Sequence, residues 1–168
     1  MQRETLHLCV FTPLHYVVEG YFLMKTVADI LAETLVDGGV EVIFGLPGGE
    51  NTDVLDAIRR HGIEFVLVHN ESSAVFMAAA NARLTGKPGV CLTTLGPGAA
   101  NACAGVAHAF LDRAPVLVIS AQSDARLIGR HTHQVIDLQA LFTPITKFSG
   151  ELTARDARAT IRNALALT

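Results

Sequence analysis

The sequence predicts an α/β fold, a doubly wound parallel sheet with helices on both faces, and three observations carry that expectation. Short runs rich in Val, Ile and Leu alternate with longer amphipathic runs from Thr26 onward. The short runs are apolar at successive positions rather than at every second one, which is the pattern of strands covered on both faces. Glycine or proline punctuates most junctions between the two kinds of run. Such alternation builds a parallel sheet through helical crossovers.

Thr26 and Asp29 form a capping pair, and Val27, Ile30, Leu31 and Leu35 share one face of the helix that follows, which Gly38-Gly39 ends. Residues 40–46 read as a strand closed by Pro47-Gly48-Gly49. A second helix, capped near Asn51, turns Val54, Leu55 and Ile58 inward and has Gly62 past its end. Residues 64–68 are the next strand and 72–84 the next helix, stopped by Gly86-Lys87-Pro88. Residues 89–95 form a third strand, followed by Gly96-Pro97-Gly98 and an alanine-rich helix to Leu111. Residues 116–121 are a fourth strand. A looser stretch, 123–133, leads to a short helical segment over 135–141, a fifth strand over 145–148, and a last helix over 153–167 capped by Thr153 and Asp156. Ligands of such sheets gather at the carboxyl ends of strands. Here those ends are residues 46–49, 69–71, 95–98 and 121–123.

Half of the 168 residues are apolar and 17% are charged, which excludes a disordered chain and suits one domain with a real core. A net charge of -3, with no Lys/Arg stripe interleaved with aromatics, excludes nucleic acid as a partner class. Cys9, Cys91 and Cys103 contain no Cys-x-x-Cys pair and leave one over in any pairing, as expected of a reducing, cytoplasmic setting. Cys91 and Cys103 read as small buried apolar side chains. Residues 6–23 are mostly apolar but broken by His7, Pro13, His15, Glu19 and Gly20, too interrupted for a membrane span. No small-residue cleavage site follows them. Met24 opens the clean amphipathic pattern. The expected division is therefore an extension over 1–23 and the domain over 24–168, with an extra edge strand over 6–11 as the alternative.

Four constellations could carry chemistry. Glu71 sits between an apolar strand and a helix rich in small apolar residues. Low-dielectric surroundings favour a protonated carboxyl there, whereas a helix N-terminus favours the charged one. The turn Gly96-Pro97-Gly98 lets backbone approach a ligand closely. As a dinucleotide fingerprint it is a poor match, because Asn101 stands where Gly or Ala belongs and Pro97 lies between the glycines. The turn Pro47-Gly48-Gly49 is a second glycine-rich strand end. His131 and His133 have ligand-like spacing, but no third ligand of fitting spacing follows, and a solvated loop accounts for them. No nucleophile elbow with a serine, histidine and acid occurs.

Together these turns have a family pattern. Val42-Ile43-Phe44-Gly45-Leu46-Pro47-Gly48, then Glu71 with Ala74, Ala78, Ala82 and Arg83, then Gly96-Pro97-Gly98-Ala99-x-Asn101, then Asp112-x-x-Pro115-Val116, then Ile119-Ser120-Ala121-Gln122 resembles the N-terminal pyrimidine domain of acetolactate synthase-like, thiamine-diphosphate-dependent enzymes. Gln134-x-x-Asp137 and Thr143-Pro144-Ile145-Thr146-Lys147 extend the match.

The resemblance implies thiamine diphosphate as cofactor, with Glu71 hydrogen-bonded to the pyrimidine N1′ so that the 4′-amino group can take the thiazolium C2 proton before attack on a 2-oxo acid such as pyruvate. It places Pro47, Gly48, Gly96, Pro97 and Gly98 around the pyrimidine and Gln134 on the substrate side, and leaves Asp112 to fix a turn. Asn70 stands where close relatives carry histidine, and Ala80-Asn81 where they carry a Gly-aromatic pair.

The family's diphosphate and magnesium are held by a Gly-Asp-Gly motif followed by Asn-Asn, and neither occurs here. The resemblance thus implies a pyrimidine domain incomplete at its C-terminus, with a separate diphosphate-binding chain or domain as partner and magnesium held only there. It also implies self-association through the face left for that partner. FAD is compatible with the family but indicated by none of these residues. The alternatives are a catalytically silent remnant of such an enzyme and a dinucleotide-binding oxidoreductase domain.

Overall fold

A computed structural model describes residues 8–12, 25–123 and 134–168. The strands are β1 (Leu8–Thr12), β2 (Val42–Gly45), β3 (Glu64–Leu67), β4 (Gly89–Thr93), β5 (Val116–Ala121) and β6 (Phe148–Glu151). The helices are α1 (Val27–Asp37), α2 (Thr52–Arg60), α3 (Glu71–Thr85), α4 (Pro97–Leu111), α5 (Leu138–Phe142) and α6 (Ala157–Ala166). All pairings are parallel, and the strands lie in the order β3-β2-β4-β5-β1-β6.

Alternation along the strands divides the core in two. Val90 and Leu92 of β4, with Leu117 and Ile119 of β5, pack under α1, α2 and α6. Cys91 between them, with Val116 and Val118, packs under α3, α4 and α5. The sheet is therefore covered on both faces, which is why its strands are apolar throughout. Successive residues of a strand point to opposite sides.

The local signals act through identifiable bonds. Thr26 caps α1 with a reciprocal box: Asp29 N–H donates to Thr26 Oγ1, and Thr26 N–H donates to Asp29 Oδ2. Arg158 of α6 pairs with Glu33 of α1 at 2.8 Å, tying the last helix to the first. Gly86 closes α3 at φ 71°, a left-handed conformation that costs glycine little.

Three elements differ from the sequence reading. The early apolar run is an interior strand rather than an edge strand, because β1 pairs with β5 on one side and β6 on the other. The fifth strand, expected over 145–148, begins only at Phe148, since Thr143–Ile145 wind into a 3-10 turn around Pro144. Asn51 precedes α2 as expected but makes no capping bond, its side chain being used elsewhere.

The strand order sets the location of the site. From β2 the chain steps outward to β3 and then crosses to β4 on the other side of β2. The carboxyl ends of β2 and β4 thus flank a topological switch point, where a parallel sheet opens a crevice.

Candidate functional site

Two glycine turns and one acid meet at that crevice. Gly45 ends β2 against β4 so closely that an added Cβ would stand 2.3 Å from the Leu92 carbonyl oxygen. The chain then turns through Pro47 and Gly48. Asn51 holds this turn: Gly48 N–H donates to Asn51 Oδ1 at 3.0 Å, and Asn51 Nδ2 donates to the Thr93 carbonyl at 3.4 Å. Asn51 is 1% exposed, so both halves of its amide are spent on fastening the end of β2 to the end of β4.

Beyond β4 the chain enters α4 through Gly96, at φ 51° and ψ -111°, with Pro97 as the first helical residue, where its missing N–H costs nothing. An added Cβ at Gly96 would lie 2.2 Å from the Gln134 carbonyl oxygen, so this turn and the Gln134 backbone are in contact. Gln134 itself has a positive φ of 55° and is exposed. Gly98 is buried one residue into the helix, and Pro97 and Pro47 stand exposed at the rim.

Glu71 opens α3 at the end of β3 and is 4% exposed. Asn70 before it caps the helix, accepting from Ser72 N–H at 2.9 Å and Ser73 N–H at 3.4 Å. The departure at position 70 is thereby explained locally: a short amide side chain suits a helix cap. An added Cβ at Gly98 would come 3.2 Å from Glu71 Oε1, which places the carboxyl against the second glycine turn. Beneath lies Cys91, wholly buried, whose thiol is pushed up by burial, with the Glu71 charge adding to the shift. Such a thiol is inert packing.

Thr94 is the residue that the sequence reading missed. A Cβ at Gly48 would stand 2.3 Å from its Cγ2, and one at Gly98 2.1 Å from its Oγ1. Its side chain therefore sits between the two turns, beside Glu71. A threonine at the end of a β-branched strand has no distinguishing local signal, although the strand-end rule covered its neighbour Leu95.

Glu71, Gly48, Gly96 and Gly98 are thus brought together, with Gln134 adjoining through its backbone. His131 and His133 lie outside the described residues. Asp112 caps the end of α4 and lies 3.3 Å from Arg83 of α3, a structural pairing away from the crevice.

Residues 25–141 match the family model described as thiamine pyrophosphate enzyme, N-terminal TPP binding domain. The chain belongs to this family. It is 44% identical over 123 residues to the acetolactate synthase large subunit of Buchnera aphidicola from Acyrthosiphon pisum, covering 73% of this chain and 22% of that protein. It is 42% identical over 127 residues to the acetolactate synthase isozyme 3 large subunit of Escherichia coli, covering 75% and 22%. The acetolactate synthase of Bacillus subtilis is 42% identical over 125 residues, covering 74% and 22%. This TPP-binding domain of the acetolactate synthase-like enzymes spans about a fifth of the length of the curated relatives it matches. Family membership supports thiamine diphosphate as the cofactor, and nothing in these relatives supports the dinucleotide-binding oxidoreductase reading.

The aminopyrimidine half of that cofactor needs an acid to meet a ring nitrogen, and Glu71 is the buried carboxyl at this strand end. The space that side chains at Gly48 and Gly98 would take is occupied by Thr94, and that at Gly96 by the Gln134 backbone. Among the described residues no helix is long and apolar enough to cross a membrane.

Proposed function

We propose that the chain binds the aminopyrimidine of thiamine diphosphate through Glu71, Pro47, Gly48, Gly96, Pro97 and Gly98, as one half of an acetolactate synthase-like enzyme acting on 2-oxo acids. Diphosphate and magnesium fall to a separate chain or domain. The observation that carries this reading is Glu71, a buried acid against the Gly98 turn near the sheet's switch point.

When bound, the cofactor supplies an electron sink for decarboxylation and carboligation. The chain's own part is narrower. Glu71 holds a proton between its carboxyl and the pyrimidine ring nitrogen, in surroundings that exclude water and so keep that proton from bulk exchange. Gly98 lets the carboxyl reach the ring, and Thr94 keeps the two turns apart. Gln134 is exposed beside Gly96, which supports a substrate-side role for it.

Two further parts belong to this reading. Phe76, Met77 and Leu84 of α3 and Leu111 of α4 are exposed, and this face supports association with a second copy. Cys91 and Cys103 are free thiols, which suits a cytoplasmic setting.

The test is reconstitution. The chain is mixed with a diphosphate-binding chain that carries the Gly-Asp-Gly and Asn-Asn motifs, with magnesium, thiamine diphosphate and pyruvate, and carbon dioxide release is followed. Release is expected from the mixture, and Glu71→Gln lowers it at least about 100-fold. Equal release with Glu71→Gln would remove the basis of the assignment.

A further inference from the structure

Among the described residues, one side chain reaches the Glu71 carboxyl. Asn101, one turn into α4, donates from Nδ2 to Glu71 Oε2 at 3.2 Å. The other oxygen, Oε1, is the one that lies against the Gly98 turn. We propose that Asn101 is a positioning residue that fixes which oxygen of Glu71 carries the proton shared with the pyrimidine. This rests on the aminopyrimidine reading of the site.

The chemistry is one of donor bookkeeping. An amide N–H has only a proton to offer, so the oxygen it addresses must present a lone pair. A proton on Oε2 would make that oxygen a hydroxyl, a weaker acceptor for the amide than the carbonyl oxygen, so the Asn101 bond favours the proton on Oε1. With Oε2 taken, a neutral Glu71 carries its proton on Oε1, at the crevice, where a ring nitrogen can accept it. Were the proton to pass to a bound ring nitrogen, the Oε1–H bond would break, an N–H bond would form, and Oε1 would become the acceptor of the same hydrogen bond.

The two helices are held in register without the help of this amide. Ser72 donates its hydroxyl to the Asn101 carbonyl oxygen. One turn further, Gly105 lies so close to α3 that an added Cβ would meet Val75 Cβ at 2.7 Å and the Ser72 carbonyl oxygen at 2.8 Å. Backbone and glycine contacts therefore set the spacing of α3 and α4, and the Asn101 side chain is left to serve Glu71. A purely structural link would duplicate these contacts. The proposal thus predicts a change at the carboxyl with little change in stability.

The experiment uses the 168-residue chain labelled with nitrogen-15 and thiamine as the probe. The Asn101 side-chain amide signals are expected to shift when thiamine is added, and Glu71→Gln is expected to abolish that response. Asn101→Leu is expected to weaken thiamine binding roughly fivefold, the loss of one hydrogen bond, while the thermal midpoint stays within about 2 °C. Asn101→Gln, which returns a donor on a longer arm, is expected to recover part of the affinity.

An Asn101 amide that stays unmoved by bound thiamine overturns the proposal, as does thiamine binding unchanged by Asn101→Leu but weakened by Glu71→Gln. If parent and Glu71→Gln bind thiamine alike, the aminopyrimidine reading fails and takes the proposal with it.

Discussion

Gly98 and Thr94 share one space: a β-carbon on the glycine would stand 2.1 Å from the threonine Oγ1. Thr94 has nowhere to retreat, because its Cγ2 lies against Gly48, where a β-carbon would be 2.3 Å away. Gly98→Ala therefore overpacks the site at a short, branched side chain. Overpacking of this kind costs about 1–3 kcal/mol, or about 3–10 °C in the thermal midpoint. Thr94→Ala in the Gly98→Ala background is expected to restore most of the loss, and calorimetry of the double-mutant cycle measures the coupling. Additive effects would mean that the two residues do not compete.

Gly105 is a second close approach, and a less forgiving one. The atoms facing it are backbone oxygen and the Cβ of a branched residue, neither of which can swing aside. Gly105→Ala is expected to force α3 and α4 apart and to lower stability by about 1–3 kcal/mol despite its better helix propensity. Urea unfolding measures this. A stabilised variant would show that the helices slide freely.

Magnesium gives a test of division of labour. If this chain holds only the pyrimidine, thiamine and thiamine diphosphate bind it with similar weak affinity, and magnesium changes neither. Titration calorimetry that finds tight, magnesium-dependent binding of the diphosphate by the chain alone would contradict this.

The fold was legible because its signals are local and repeated: capping boxes, glycine stops and apolar runs each need only a few neighbours in sequence. The position of Glu71 was legible for the same reason, at a junction of strand and helix. What escaped depends on distant partners. Asn51 has the composition of a helix cap, yet its amide bonds the Thr93 carbonyl, 42 residues on. Thr94 matters because two turns close on it, which no window of sequence reveals. The early run became interior through parallel pairing with β5 and β6, and β6 took its bounds from that pairing rather than from its own propensity.

Cys91 makes alkaline stability a readout of the core beneath the site. Burial raises its thiol above the ordinary 9.0. Below that pH both folded and unfolded chains keep the proton, and the thiol adds no pH dependence. Above it the unfolded chain releases the proton and the folded chain does not, so stability falls as pH rises, by about 1.4 kcal/mol per pH unit. Cys91→Ala is expected to flatten that slope in urea unfolding between about pH 8 and about pH 10.5. An unchanged slope would assign the alkaline loss to other groups.

The exposed face of α3 and α4 sets the last expectation. Leu84 of α3 is 87% exposed and Leu111 of α4 78%, and Phe76 of α3 meets His108 of α4 edge-on at 5.0 Å. Single exposed leucines are ordinary, whereas several on two packed helices are what the proposed self-association would use. The parent chain is expected to show a mass that rises with concentration in sedimentation equilibrium. Leu84→Glu with Leu111→Glu, both at solvent-facing positions that leave the core intact, is expected to hold it at the monomer mass with an unchanged thermal midpoint. Concentration-independent monomer for the parent would leave this face without a self-association role. A variant that still associates would move the contact to another surface of the sheet.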